Sequence, residues 1–163
     1  MTFFRRAEKR ASPFDFSRIL VPLVGDDDVD LPALKVAAML VEGREDAEIS
    51  LVHVIEVPFS RNLDAEDEAA VARADEILTA AERFLEEKGI RARTSTVQAR
   101  AAGPAIVDDA NDVGAELIIM GLRYKKRFGG QWDAGRTVPY VMRNSTAPVW
   151  CLRAETKELA HTP

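Results

Sequence analysis

Residues 121–137 form the segment with the clearest potential for chemistry, because they are both basic and rich in glycine. The segment holds five basic residues and one acid, a net charge of +4 in a chain whose total is −5, so the other residues carry −9. Its four glycines let backbone N–H groups turn towards an anion. A helix predicted to begin at residues 135–137 adds unpaired amides and the positive end of its dipole. The pattern predicts a cradle for phosphate or another small anion; a solvated loop held by Phe128 and Trp132 is the alternative.

A second candidate is the acidic run of Asp26, Asp27, Asp28 and Asp30. Carboxylate oxygens are the ligands that Mg²⁺ prefers, so the run could hold a metal beside bound phosphates. It has no matching carboxylate elsewhere in the sequence, and we predict no metal site. The preferred interpretation is a solvated turn in which Asp30 is the N-cap of the first helix. Attraction between this run and the basic residues 125–127 is a third possibility.

The elements that must position these segments alternate regularly between strand and helix. Short apolar or β-branched runs predict strands at 19–24, 49–55, 90–99, 117–120 and 149–152. Helical spacing and capping residues predict helices at 30–43, 64–89, 103–113 and 137–143. Such alternation predicts a three-layer α/β/α fold around a parallel sheet. Ligands bind such sheets beyond the carboxyl ends of the strands, which is where both charged segments lie.

Composition excludes several classes of function. The chain has 163 residues, 47% of them hydrophobic, which suits one globular domain at 18–153 between a basic arm at 1–17 and a frayed tail at 154–163. Its pI near 5.2 argues against a nucleic-acid partner. Neither an export signal nor an apolar run long enough to span a membrane is visible, and the lone Cys151 suits a reduced thiol, so we expect a cytoplasmic protein.

Catalytic patterns are also missing from the sequence. It contains no nucleophile elbow, no paired cysteines and no His/Cys cluster of metal-ligating spacing. His53 lies in a predicted buried strand, where a hydrogen-bonded structural histidine is the usual finding, and His161 is in the tail. We therefore assign no catalytic residue and expect no enzyme.

Four segments together resemble the universal stress protein family. They are Ile19–Pro22, Leu51–Val54, Leu117–Gly121 and the stretch from Gly135 through Tyr140 to Val149. The resemblance implies a sheet of five parallel strands in the order 3-2-1-4-5 and a domain that either binds an adenine nucleotide or has a regulatory role. It also implies a homodimer formed through the last strand, here Val149, Trp150, Cys151 and Leu152, a pairing that would also protect an open apolar edge.

Nucleotide-binding members of that family carry the pattern Gly-x2-Gly-x9-Gly-Ser/Thr after the fourth strand and an acid at the end of the first. This chain departs from both. Tyr124 replaces the second glycine, ten residues precede Gly135, Arg136 stands at the hydroxyl position and Val24 at the acidic position. Arg136 could bind phosphate through a charge-assisted contact, Thr137 could supply the displaced hydroxyl, and Tyr124 could stack on a base.

Two functions therefore remain open. One is a regulatory domain that binds ATP, AMP or another small anion in an altered pocket. The other is a protein-interaction module without a nucleotide, regulating a partner such as a membrane transporter. The candidate cofactor-binding residues are Pro22, Val24, Val54, Gly121, Arg123, Tyr124, Gly135, Arg136 and Thr137.

Overall fold

A computed structural model describes residues 14–65, 67–122 and 135–153, and the backbone of 125–126 and 132–133. The strands of the main sheet are β1 (Arg18–Leu23), β2 (Glu48–Glu56), β3 (Ala92–Ala99), β4 (Leu117–Leu122) and β5 (Val149–Arg153). The helices are α1 (Asp27–Val41), α2 (Glu68–Glu86), α3 (Ala102–Asp112) and α4 (Thr137–Asn144). Between β4 and α4, Lys125–Lys126 pairs antiparallel with Trp132–Asp133.

The five strands form one parallel sheet in the order β3-β2-β1-β4-β5, as the sequence predicts. In the central strand β1, the run Ile19–Val21 is almost fully buried, which explains its continuous apolar sequence. Leu23 pairs with His53, so β1 and β2 end at the same edge of the sheet. That carboxyl edge is where the connections to the helices are exposed.

The helices cover the sheet in two layers, which we call the α1/α2 face and the α3/α4 face. The core of the α1/α2 face includes Leu34, Leu51 and Leu85. The smaller core of the α3/α4 face includes Leu20, Ile106 and Val141. In the described part of the chain, no helix is long and apolar enough to cross a membrane.

Two predicted helix starts are wrong, both because a nearby acid competes for the cap. Asp26, not Asp30, caps α1, and its carboxylate accepts a hydrogen bond from the Asp28 N–H. Asp67, not Asp64, caps α2 through the Ala70 N–H at 3.1 Å. Asp30 is thereby released from the cap and is buried within the first turns of α1.

Residues 14–17, part of the segment 1–17 that the sequence analysis assigns to an arm, make contacts with the domain. The rings of Phe14 and Phe16 meet the Trp150 ring edge-on, with centroids 5.8 and 5.9 Å away. Arg44 pairs with Asp15 at 2.6 Å and donates a hydrogen bond to the Phe16 carbonyl. Aromatic packing on β5 therefore joins Phe14 and Phe16 to the domain, while residues 1–13 and 154–163 lie outside the described residues.

Candidate functional site

A cleft of about 610 Å³ opens on the α3/α4 face at the carboxyl edge of the sheet. It lies where β1, β2 and β4 end and where α3 and α4 begin, the position expected for a ligand in a parallel sheet. Its described lining comprises Pro22, Leu23, Val24, Val29, Val52, His53, Val54, Glu56, Ala102, Ile106, Met120, Gly121, Leu122, Gly135, Thr137 and Val138. A cleft of this volume is within the range of small-molecule sites.

The cleft brings together six of the nine candidate residues, from three separate connections in the sequence: Pro22, Val24, Val54, Gly121, Gly135 and Thr137. Arg136 is not among the lining residues; it is exposed and stands at the N-cap of α4. Arg123 and Tyr124 lie outside the described residues.

One wall of the cleft is apolar. Val52 is fully buried, Val54 is half-buried, and both contribute to the core of the α3/α4 face. Ile106 of α3 lies opposite them, and Val24 at the mouth remains 50% exposed. This wall suits a flat, apolar group such as a nucleobase. The valine at position 24 adds no carboxylate to the wall.

Gly121 has a structural reason to be glycine. A Cβ atom at this position would lie only 2.0 Å from the carbonyl oxygen of Val29, because the first turns of α1 cross β4 there. Gly135 differs, since it has a φ of 68° and a Cβ would meet no atom within 4 Å. Gly121 is therefore required for packing, whereas Gly135 is required for the backbone turn that leads into α4.

The turn between β1 and α1 is organised by the buried carboxylate of Asp30. Its oxygens accept hydrogen bonds from the backbone N–H groups of Val24, Gly25 and Asp26, the shortest at 2.8 Å from Gly25. Burial raises the pKa of the Asp30 carboxyl above its usual value, and the three backbone donors offset part of that rise. Asp30 acts as an internal anion, so these three amides are already occupied.

Part of the acidic run is used within the fold. Asp26 caps α1 and Asp30 is committed to the turn, so two of its four carboxylates are used internally. Throughout the described residues, no group of three or more His, Cys, Asp or Glu side chains is arranged to hold a metal ion.

His53 has the hydrogen-bonded structural role that the sequence predicts. Its Nδ1 donates to the Leu23 carbonyl at 2.9 Å, tying the ends of β1 and β2 together. This contact helps to hold the floor of the cleft in place.

Sequence reasoning missed Glu56, the acid that lines this cleft. Glu56 follows Val52 and Val54 at the two-residue spacing that places strand side chains on one face of a sheet. Its Oε1 accepts a hydrogen bond of 2.7 Å from the Ala102 N–H at the start of α3. The two-residue spacing from Val52 and Val54 could have placed Glu56 on the same face. Using it required knowing that β2 extends to Glu56.

The fold and this cleft can be compared with known proteins. The model of the universal stress protein family matches residues 15–153. The chain belongs to the universal stress protein family. No curated protein sequence matches it.

Solved structures of other universal stress proteins share the fold. One from Archaeoglobus fulgidus is 23% identical, with a TM-score of 0.68, covering 82% of this chain and 96% of that one. A structure from Archaeoglobus fulgidus in complex with dAMP is 21% identical, with a TM-score of 0.67 and coverage of 84% and 98%. One from Arabidopsis thaliana with AMP bound is 14% identical, with a TM-score of 0.66 and coverage of 87% and 94%.

Proposed function

We propose that this universal stress protein is a regulatory domain that binds an adenine nucleotide, or a related small phosphate-bearing molecule, in the cleft at the carboxyl edge. The observation that carries the proposal is the assembly of six candidate residues around one cleft of about 610 Å³. We assign it no catalytic step, because the described lining residues offer no nucleophile paired with a base.

The lining suits the two ends of a nucleotide. The apolar wall formed by Val52, Val54 and Ile106 would receive the base. Gly135 and Thr137 lie at the start of α4, where backbone amides and the positive end of the helix dipole favour a phosphate. Arg136 adds a positive charge beside that helix start.

Two of the solved universal stress proteins with this fold hold dAMP and AMP. They support a nucleotide as the first ligand class to test. The absence of an acid at Val24 argues that base and ribose recognition differ here.

Titration calorimetry with ATP and AMP, each with and without Mg²⁺, tests the proposal. We expect saturable binding of at least one nucleotide by the wild-type protein. Val24→Trp fills the mouth of the cleft from a position that is 50% exposed, and should weaken binding by about tenfold or more. Met39→Trp, on an exposed position of α1 outside the cleft, is the matched control and should bind like wild type.

A second candidate is a protein-interaction module that has lost the nucleotide. Two observations favour it: Gly121 is explained by packing against Val29, and Arg136 does not line the cleft. If it is correct, a folded wild-type protein gives no heat with any nucleotide. Pull-downs that compare wild type with a Lys125→Glu, Lys126→Glu, Arg127→Glu variant would then test the basic segment as the contact.

We also propose a homodimer through β5. This strand pairs with β4 alone among the described strands and lies at the edge of the sheet, so its other backbone edge faces outwards. Val149, Trp150, Cys151 and Leu152 are only half-buried. Sedimentation should give a dimer at micromolar concentration; a monomer would contradict the proposal.

A further inference from the structure

Glu56 stands at the top of the apolar wall of the cleft. Val52, Val54 and Glu56 share one face of β2 because strand side chains alternate between faces. Two residues of a strand advance about 7 Å, so the carboxylate is carried beyond Val54 to the rim. Among the described residues that line the cleft, Glu56 is the one acid.

The carboxylate is held in place by α3. Ala101, the N-cap residue of α3, makes no side-chain capping bond, and Glu56 supplies the missing acceptor to the Ala102 N–H at 2.7 Å. That contact uses Oε1 alone, whereas an ionised carboxylate offers about four acceptor positions on its two oxygens. The group is therefore fixed in position and still able to accept further hydrogen bonds.

The order of the strands decides which part of a nucleotide would meet it. β2 is separated from β4 by β1, so its end is about 10 Å from the end of β4 at ordinary strand spacing. A nucleotide whose phosphate lies at the start of α4 would place its ribose between β4 and β1 and its base beside β2. At that distance, Glu56 would face the edge of the base.

We propose that Glu56 is a specificity-determining residue whose carboxylate accepts a hydrogen bond from an amino group on a purine base. The inference rests on the proposed function and adds the class of ligand, an aminopurine nucleotide. Adenine offers one amino group, and guanine offers an amino group beside a ring N–H, which suits both oxygens of a carboxylate. Bases that present a carbonyl in place of the amino group would put two acceptors against each other.

Two ligand pairs that each differ by a single amino group test this inference by calorimetry. GMP is compared with IMP, and AMP with purine riboside monophosphate. The wild-type protein should prefer the amino-bearing member of at least one pair by about tenfold or more, as expected for a hydrogen bond to a charged group. A preference within the first pair identifies guanine as the base, and one within the second identifies adenine.

Glu56→Gln separates recognition from helix capping. The amide oxygen can still accept from Ala102, so α3 keeps its cap, but the charge and one acceptor are lost. We expect the amino-group preference to fall to about threefold or less. Glu86→Gln, at an exposed position at the end of α2, is the matched control and should keep the wild-type preference.

The outcomes distinguish the two proposals. Wild-type binding that is equal within both pairs, or a Glu56→Gln variant that keeps the preference, overturns the role of Glu56 and leaves the proposed function intact. A folded wild-type protein that binds none of the four nucleotides and no ATP overturns the proposed function and this inference with it. The wild-type ratios need no variant, so the test does not depend on whether Glu56→Gln folds.

Discussion

The two faces of the sheet differ in how completely they are packed. In the described chain, the core of the α1/α2 face contains seventeen buried residues and that of the α3/α4 face contains eight. The helices explain the difference, since α1 and α2 have 15 and 19 residues whereas α3 and α4 have 11 and 8. The candidate site lies on the face with fewer buried core residues, whereas the α1/α2 face supplies most of the packing that stabilises the sheet.

Two glycine substitutions should give the largest contrast between the faces. Gly121→Ala places a Cβ 2.0 Å from the Val29 carbonyl oxygen, a backbone atom of α1 that cannot move alone, so we expect a loss of about 3 kcal/mol or more. Gly103→Ala brings a Cβ 2.9 Å from the ring of Tyr140 and 3.0 Å from the Tyr140 Cβ, so α4 must shift slightly away from α3. Alanine favours the helix by about 1 kcal/mol and offsets part of this strain, so we expect the free energy of unfolding to fall by only about 1 kcal/mol. Urea unfolding measures the free energy of unfolding of both variants. Equal losses would show that the two faces do not differ at these glycines.

The buried carboxylate of Asp30 gives the next largest effect. Asp30→Ala leaves the N–H groups of Val24, Gly25 and Asp26 without their acceptor. Water can replace part of these hydrogen bonds, so we expect the free energy of unfolding to fall by about 2–3 kcal/mol. Asp27→Ala, an exposed neighbour in the same turn of α1, is the control and should change stability by a few tenths of a kcal/mol, ~0.5 at most. Thermal unfolding of both variants checks the comparison, and similar losses would mean that the internal hydrogen bonds are not what stabilises the turn.

A matched pair of valine truncations tests the packing itself. Val21→Ala in β1, a fully buried position of the α1/α2 core, creates a closed cavity, and we expect the free energy of unfolding to fall by about 2 kcal/mol. Val138→Ala on α4 borders the cleft, where water can fill the space, and should cost about 1 kcal/mol. Chemical unfolding of the two variants gives the difference directly. A larger loss for Val138→Ala would show that the α3/α4 face is the better packed of the two.

The smallest effect concerns pH. Burial raises the pKa of Asp30 in the folded protein, so the folded state holds a proton that the unfolded state releases near 3.8. Its contribution to stability is present below pH 3.8 and is lost as the pH rises through the folded pKa. The side chain of the Asp30→Asn variant does not titrate. The free energy of unfolding of this variant, compared with that of wild type, should therefore rise between pH 3.8 and the folded pKa of Asp30. Urea unfolding from about pH 4 to about pH 7 checks the sign, and a constant difference between the two proteins would contradict it.

The accuracy of the sequence analysis varied with the range of the interactions involved. The central strand β1 and the order of elements were predictable because continuous burial on both faces leaves a run such as Ile19–Val24 with few polar residues. The starts of α1 and α2 were missed because several acids near each start could serve as the cap. At α1 the choice depends on the tertiary structure, which buries Asp30. Gly121 was assigned to phosphate binding on its place in a motif, yet its packing against Val29 depends on how α1 crosses β4.

The same limit applies to the cleft. Val24, Gly135 and Thr137 were named from their places in the family pattern, and all three line the cleft. Glu56 was not, because its importance depends on the register of β2 and on its contact with Ala102, 46 residues away. Contacts between distant residues leave little trace in local spacing.

The sequence by itself determined the alternation of strand and helix, the parallel sheet and the edge where a ligand would bind, because periodicity and turn residues act over a few neighbouring positions. Only the tertiary structure decided that Asp30 is an internal anion, that Gly121 is a packing contact and that Glu56 faces the cleft. Each of these depends on which distant backbone lies opposite the side chain, and that is set by the packing of helices on the sheet.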